Sequence, residues 1–222
     1  MKTLTPLITV IAIGLICTNA DASITYSFLN ITNNDSLNAE IGEDQLFVVM
    51  DDSLSNQVTF TFSNTGPEAS SITQVYFDDD GLLSFSSLDD SLDGVEFSQG
   101  ASPPDLPGGN SLLSAFMTTD GLSFGADAPV QPNGINPGEW LGITFDVDPE
   151  ANLQDLIESG DLRIGIHVQA IGNGGSESFI LGGPVATATD TETIPAPGAI
   201  VLAGIGVALV GLMRRSNVFR VV

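Results

Sequence analysis

Residues 58–62 read VTFTF, and this strict alternation of apolar and polar side chains decides the fold class. Successive side chains of a β-strand point to opposite faces, so the valine and both phenylalanines fall on one face and the threonines on the other. The same period of two recurs in residues 24–28, 141–147 and 164–170. The sequence therefore predicts several strands, each with one buried and one polar face.

Clusters of turn-forming residues separate these strands. They occur at residues 64–67 (NTGP), 103–104 (PP), 107–110 (PGGN) and 133–134 (NG). Gly, Pro and Asn interrupt strands because they favour tight turns or cannot continue a ladder of hydrogen bonds. Strands with one polar face and few helices between them are typical of antiparallel sheets. We expect an all-β fold, either an antiparallel β-sandwich or a jelly roll.

One short helix is expected in this β-rich chain. Asp148 is the predicted N-cap, Pro149 occupies the first helical position, and Gly160 ends the helix. Between them Leu153, Leu156 and Ile157 supply one apolar face. The helix would bridge two strands.

The charge of the chain is strongly unbalanced. The protein has 28 acidic and 5 basic residues, and within residues 23–192 the only base is Arg163. Nucleic acid is excluded as a partner because binding to phosphates needs many Lys and Arg side chains. An anionic membrane surface is disfavoured for the same reason. Three explanations of the acidity remain: binding of divalent cations, secretion into a medium of high salt concentration, and electrostatic repulsion that keeps copies of the protein apart.

The N-terminal segment, residues 1–22, has the features of a secretory signal peptide. Lys2 supplies a positive charge, residues 7–17 are apolar, and Ala-Asp-Ala precedes the expected cleavage between Ala22 and Ser23. We expect export, followed by an ectodomain that covers residues 23–185.

The C-terminal segment is predicted to anchor the chain in a membrane. After a linker at residues 186–193, residues 194–215 contain an apolar run about long enough to span a bilayer as a helix. Basic residues follow this run, and basic flanks favour the cytoplasmic side. Residues 216–222 would then be cytoplasmic, and the acidic ectodomain would lie outside.

Pro195, Ala196 and Pro197, a Gly- and Ala-rich span, and then Arg214 and Arg215 resemble a PEP-CTERM sorting tail. Ala196 stands where that family usually has Glu, so this is a PAP variant of the motif. The resemblance implies recognition by an exosortase, a transient inner-membrane anchor, and cleavage near the proline motif. The domain would then reach the cell surface or the extracellular matrix.

The resemblance extends into the ectodomain. Several stretches between residues 58 and 180 are similar to one group of PEP-CTERM proteins, among them VTFTFSNTGPEASSITQVYFDD and SGDLRIGIHVQAIGNGGSESFI. That group has no assigned biochemical activity. The resemblance therefore implies a location and a route, but no reaction.

Several acidic clusters are candidate cation sites. Asp78, Asp79 and Asp80 precede Gly81, and a loop at the end of a strand can turn several carboxylates toward a common ion. A second cluster also groups several aspartates in one predicted turn. A third has an acid at every second position but lacks the glycine and the glutamate that a calcium loop requires at its sixth and twelfth positions. The second cluster contains Asp89, Asp90 and Asp93, and the third contains Asp146, Asp148 and Glu150. A solvated turn is the favoured interpretation, so no metal or other cofactor is assigned, although calcium stays open.

The sequence offers little material for catalysis. His167 and Arg163 lie on the polar face of one predicted strand, where we expect a surface histidine and an ion pair between Arg163 and an acid. Cys17, the single cysteine, lies in the signal segment, so thiol chemistry is excluded from the ectodomain. Trp140 and Tyr76 are a candidate platform for stacking on sugars, although Trp140 is more simply a core residue.

These observations favour a secreted structural or adhesive protein that is not an enzyme and has no catalytic residue. Its expected partners are an exosortase, the inner membrane and an exopolysaccharide. A calcium-assisted carbohydrate-binding module is the alternative, and a secreted hydrolase is a third hypothesis.

Overall fold

The computed structural model describes residues 23–54 and 56–185. The predicted signal peptide, linker, transmembrane helix and cytoplasmic end all lie outside these residues, and so do Ala22 and the sorting motif. Within the described part of the chain, no helix is long and apolar enough to cross a membrane.

The described residues form ten strands and two α-helices, with a short 3₁₀ turn at Gly109–Ser111. In chain order these are β1 (Ile24–Asn30), α1 (Ser36–Gln45), β2 (Leu46–Leu54), β3 (Gln57–Asn64), β4 (Ser71–Asp78), β5 (Ser84–Asp89), β6 (Phe97–Gln99), β7 (Ser123–Ala126), β8 (Trp140–Asp146), α2 (Leu153–Ser159), β9 (Arg163–Gln169) and β10 (Ser176–Pro184).

All ten strands belong to one antiparallel sheet, in the order β5-β8-β3-β2-β1-β10-β9-β4-β7-β6. The predicted alternation is realised in β3, where Val58, Phe60 and Phe62 are fully buried and the residues between them are half-buried. Phe60 pairs with Ile143 of β8, so the apolar faces of these two neighbouring strands coincide. The prediction of an antiparallel all-β fold is confirmed.

The sheet curls so that strands far apart in its order face each other across one core. Phe77 of β4 and Phe145 of β8 have ring centroids 4.7 Å apart, and Phe85 of β5 lies 5.1 Å from Phe124 of β7. Rings at these distances and at tilted or edge-on angles are favourable beyond the apolar area that they bury. One phenylalanine-rich core therefore joins the two halves of the sheet.

Helix α1 was not predicted, so the expectation of a single helix is wrong. Its N-cap is Asp35, whose carboxylate accepts hydrogen bonds from the backbone N–H groups of Leu37 and Asn38. The helix packs closely on the sheet, because a β-carbon at Gly42 would lie 2.1 Å from the ring of Phe179 on β10. Its buried residues are Asn38, Ile41, Gly42 and Gln45, of which only Ile41 has a large apolar side chain, so helical periodicity of apolar residues could not reveal the helix.

Helix α2 is the predicted helix, but its N-cap is not the predicted one. Asn152, not Asp148, caps the helix, and its side chain accepts a hydrogen bond from the N–H of Asp155. The carboxylate of Asp148 instead accepts from the N–H of Glu150 in the preceding turn. Gly160 ends the helix in the left-handed conformation, as predicted.

Residues 101–116 cover part of the outer face of the sheet. Leu106 and Phe116 from this segment form a second apolar cluster with Tyr76 of β4. The segment sits directly on the backbone of β9, since a β-carbon at Gly165 would lie 2.6 Å from the side chain of Leu106. Strand β4 is consequently buried on both faces over most of its length.

Candidate functional site

Arg163, the first residue of β9, holds several elements together. Its guanidinium forms an ion pair with Asp78 of β4, the residue that faces it in the antiparallel ladder. It also donates hydrogen bonds to the carbonyl oxygens of Ser114 and Ala115, at 2.9 and 2.7 Å, and lies 5.3 Å from the ring centre of Phe116. The expected ion pair of Arg163 is confirmed, and the same side chain fixes residues 114–116 against the sheet.

The three consecutive aspartates after β4 do not converge on a common point. Asp78 pairs with Arg163 and accepts a hydrogen bond from the N–H of Met117. Asp79 is fully buried, and its carboxylate accepts from the N–H groups of Gly81 and Leu83. Asp80 is exposed. In residues 23–54 and 56–185, no three His, Cys, Asp or Glu side chains are arranged to hold a metal ion.

The structure instead assembles an acidic groove beside α2. The groove consists of two depressions of about 390 and 400 Å³ that share Leu82 and Leu156. Carboxylates line both depressions, and these are Asp78, Asp80 and Asp161 in the first and Asp148, Glu150 and Asp155 in the second. Two of the predicted acidic clusters therefore contribute to one groove.

Asp155 and Asp161, which lie inside α2 and just after it, were not among the predicted site residues. Their signal in the sequence was their proximity to the predicted helix, because the helix carries them to the same surface as the acids that precede it. Asp146, from the third acidic cluster, lies apart and accepts a hydrogen bond from the side chain of Gln57 on the neighbouring β3.

The second acidic cluster serves local turns. Asp89 accepts from the N–H of Ser91, and Asp90 accepts from the N–H of Phe97 at the start of β6. Asp93 is exposed. These contacts fix the connection between β5 and β6.

The proposed sugar platform of Trp140 and Tyr76 is wrong. Tyr76 has no exposed surface because residues 101–116 cover it, and its hydroxyl donates a hydrogen bond to the carbonyl oxygen of Pro103 at 3.0 Å. Burial raises the pKa of Tyr76 above its usual value, and the nearby Asp105 raises this pKa further. Trp140 is half-buried at the start of β8.

His167 is half-buried and not the surface residue that was expected. Its Nδ1 lies 3.0 Å from the hydroxyl of Ser178, which faces it on β10 and is fully buried. Burial lowers the pKa of His167, while the nearby Glu177 raises it and so offsets part of this effect. Since Ser178 has no exposed surface, this pair is not open to a polymeric substrate.

Glu177 is a buried carboxylate that sequence analysis missed. It accepts four hydrogen bonds from the segment that leads into α1. The donors are the side chains of Asn30 and Thr32 and the backbone N–H groups of Asn34 and Asp35. Burial alone would raise the pKa of Glu177, but these hydrogen bonds outweigh burial and hold the pKa below its usual value. The charged form therefore anchors the start of α1.

The fold and the groove define an acidic, antiparallel β domain with an open, carboxylate-lined surface beside one helix. No family model, no curated protein and no solved structure matches the chain. The resemblance of the tail to a PEP-CTERM signal therefore stays a prediction.

Proposed function

We propose that the protein is an exported surface or extracellular-matrix protein with a structural or adhesive role and no catalytic activity. In this proposal an exosortase recognises the tail at residues 194–215, and the inner membrane holds the chain until cleavage. The domain then acts at the cell surface or outside the cell, in contact with exopolysaccharide.

The main support for a structural role is the set of contacts that Arg163 makes. The single base of residues 23–192 is neutralised by Asp78 and is bound to two backbone carbonyl groups. The remaining acids therefore leave a surface of nearly uniform negative charge. Such a surface keeps copies apart and retains water and counterions, which suits a component of a hydrated matrix.

The topology supports a sandwich of the jelly-roll type. Strands β3, β5 and β8 belong to one half of the sheet, and β4, β6 and β7 belong to the other. The chain crosses between the halves from β3 to β4, β4 to β5, β5 to β6, β7 to β8 and β8 to β9. Repeated crossing of this kind is the pattern of Greek-key and jelly-roll sandwiches, which serve as stable scaffolds in many extracellular proteins.

The proposal is tested on the protein isolated from its host. Mass spectrometry of the intact chain and of its C-terminal peptide should show an N-terminus at Ser23 and a C-terminus near residues 195–197. Material attached to the new C-terminus would identify the anchor. An intact chain that ends at Val222 would refute sorting by cleavage.

The alternative is a calcium-assisted carbohydrate-binding module, and the acidic groove is the observation that favours it. Carboxylates that line an open groove can coordinate calcium together with the hydroxyl groups of a bound glycan.

Retention of the full-length chain on host exopolysaccharide should then require calcium and be reversed by a chelator. The double variant D80N/D161N should lose retention, whereas E40Q/D44N, which neutralises two exposed acids of α1, should keep it. Equal retention with calcium and with chelator would exclude this alternative.

A further inference from the structure

A small pocket adjoins the acidic groove, with which it shares Gly160 and Arg163 as lining residues. It lies beneath residues 112–116, next to the end of α2, and has a volume of about 190 Å³. Six apolar side chains line it, namely Leu112, Phe116, Ile157, Leu162, Ile180 and Leu181. At about 30 Å³ for each water-sized group, this volume holds roughly six non-hydrogen atoms.

Arg163 gives this apolar pocket one polar wall. A guanidinium carries five N–H donors. Asp78, Ser114 and Ala115 take three of them, and the N–H of Nε and one N–H of Nη1 meet no acceptor within the described part of the chain. The guanidinium also lies over Phe116, which lines the pocket. Arg163, with two N–H groups that have no acceptor in the described part of the chain, is therefore the polar side chain of a hydrocarbon-lined space.

The charges around Arg163 select a neutral ligand. Asp78 already compensates the positive charge, so a ligand gains little from a full negative charge. Asp80 and Asp161 in the adjoining groove would repel an anion. A cation would have to leave water for apolar walls beside a guanidinium, which is costly. A neutral group with a short hydrocarbon chain and one hydrogen-bond acceptor matches this lining, because the chain can contact the apolar side chains and the acceptor can bind Arg163.

We infer that this pocket binds a short acyl ester, with its hydrocarbon chain among the apolar side chains and its carbonyl oxygen on Arg163. An acyl ester of this size occurs on O-acylated polysaccharides and at the head of glycerolipid chains. The inference does not depend on the proposed function, because the pocket recognises the ester whichever molecule carries it.

The experiment uses methyl butyrate as the probe and the full-length chain as the receptor, with binding measured by saturation-transfer NMR. A ligand of this size should bind with a Kd on the order of 1 to 10 mM. The butyrate ion should bind at least about fivefold more weakly because of the carboxylates nearby.

Two variants of the pocket and one control locate the site. I157F fills the pocket and should abolish binding, while R163K keeps a positive charge near Asp78 but removes the planar fork of donors and should weaken binding tenfold or more. L37F places the same ring on the exposed face of α1 and should leave binding unchanged. Because R163K also loosens residues 114–116, I157F decides the result if R163K fails to fold.

The source of the ester is decided with larger ligands. Acetylated glucomannan is compared with the same polymer after alkaline deacetylation, and dihexanoylphosphatidylcholine is tested below its micelle concentration. Preference for the acetylated polymer assigns a polysaccharide ligand, and preference for the phospholipid assigns a lipid. Absence of methyl butyrate binding at 50 mM, or equal binding by I157F and the unmodified chain, overturns the inference.

Discussion

Replacing Glu177 with glutamine measures how much one buried carboxylate stabilises the start of α1. Oε2 of Glu177 accepts from Asn30, Thr32 and Asn34, while Oε1 accepts from the N–H of Asp35 at 2.8 Å. Glutamine keeps one acceptor oxygen, but its NH₂ group must then face at least one donor. Hydrogen bonds to a charged group contribute about 1.5 to 3 kcal/mol each, so with local relaxation E177Q should lose about 2 to 4 kcal/mol of stability at pH 7.

The dependence of this loss on pH has a defined sign. The pKa of Glu177 is lower in the folded protein than its usual value of about 4.5. Its stabilising effect is therefore fully present above the pKa of the unfolded chain and is lost as the pH falls through the folded pKa. The difference in stability between the unmodified chain and E177Q should stay constant from pH 7 to about 5.5 and shrink below about pH 4. The other acids titrate in both proteins, so their contributions to the pH dependence cancel in this difference.

Urea unfolding of the full-length chain, followed by the fluorescence of Trp140, gives both free energies at each pH. E40Q is the matched control because it makes the same chemical change at an exposed position of α1, and it should stay within about 0.5 kcal/mol of the unmodified chain. The reasoning fails if E177Q matches E40Q at pH 7, or if the difference does not shrink in acid.

Two further substitutions test the packing of the sheet. G42A places a methyl group 2.1 Å from the ring of Phe179, so it should destabilise the domain by roughly 1 to 3 kcal/mol, whereas a β-carbon at Gly183 meets no atom within 4 Å and G183A should have little effect. Equal melting temperatures for the two variants would contradict the close contact of α1 with β10. Y76F removes the hydrogen bond to Pro103 and should cost about 1 kcal/mol in urea unfolding. An unchanged unfolding midpoint for Y76F would show that this bond adds nothing to stability.

The strands could be predicted because the period of two survives wherever one face of the sheet is buried and the other is not. Strands β1, β3 and β8 satisfy this condition, and their predicted positions are confirmed. Strand β4 does not satisfy it, because residues 101–116 cover its outer face. The burial of Tyr76 therefore depends on a segment that has no periodicity of its own.

The candidate site could be predicted only in part. The sequence shows that acids are clustered, but it does not show which carboxylates accept hydrogen bonds from nearby backbone N–H groups. Asp79 turns inward to bind two N–H groups, whereas Asp80, the next residue, faces the groove. Asp161 joins Asp80 only because α2 ends beside the loop between β4 and β5, which is a matter of tertiary packing. Local patterns therefore located four of the six acids that line the groove, and they also included Asp79 and Asp146, which do not line it.

The position of Arg163 has a consequence for proteolysis. A protease that cuts only after Lys or Arg finds a single target bond within residues 23–192, the one between Arg163 and Ile164. That bond lies at the start of β9, where both residues pair with β4, and Ile164 is fully buried. A trypsin-like enzyme can reach it only after this part of the sheet has opened, so release of two large fragments would report that opening.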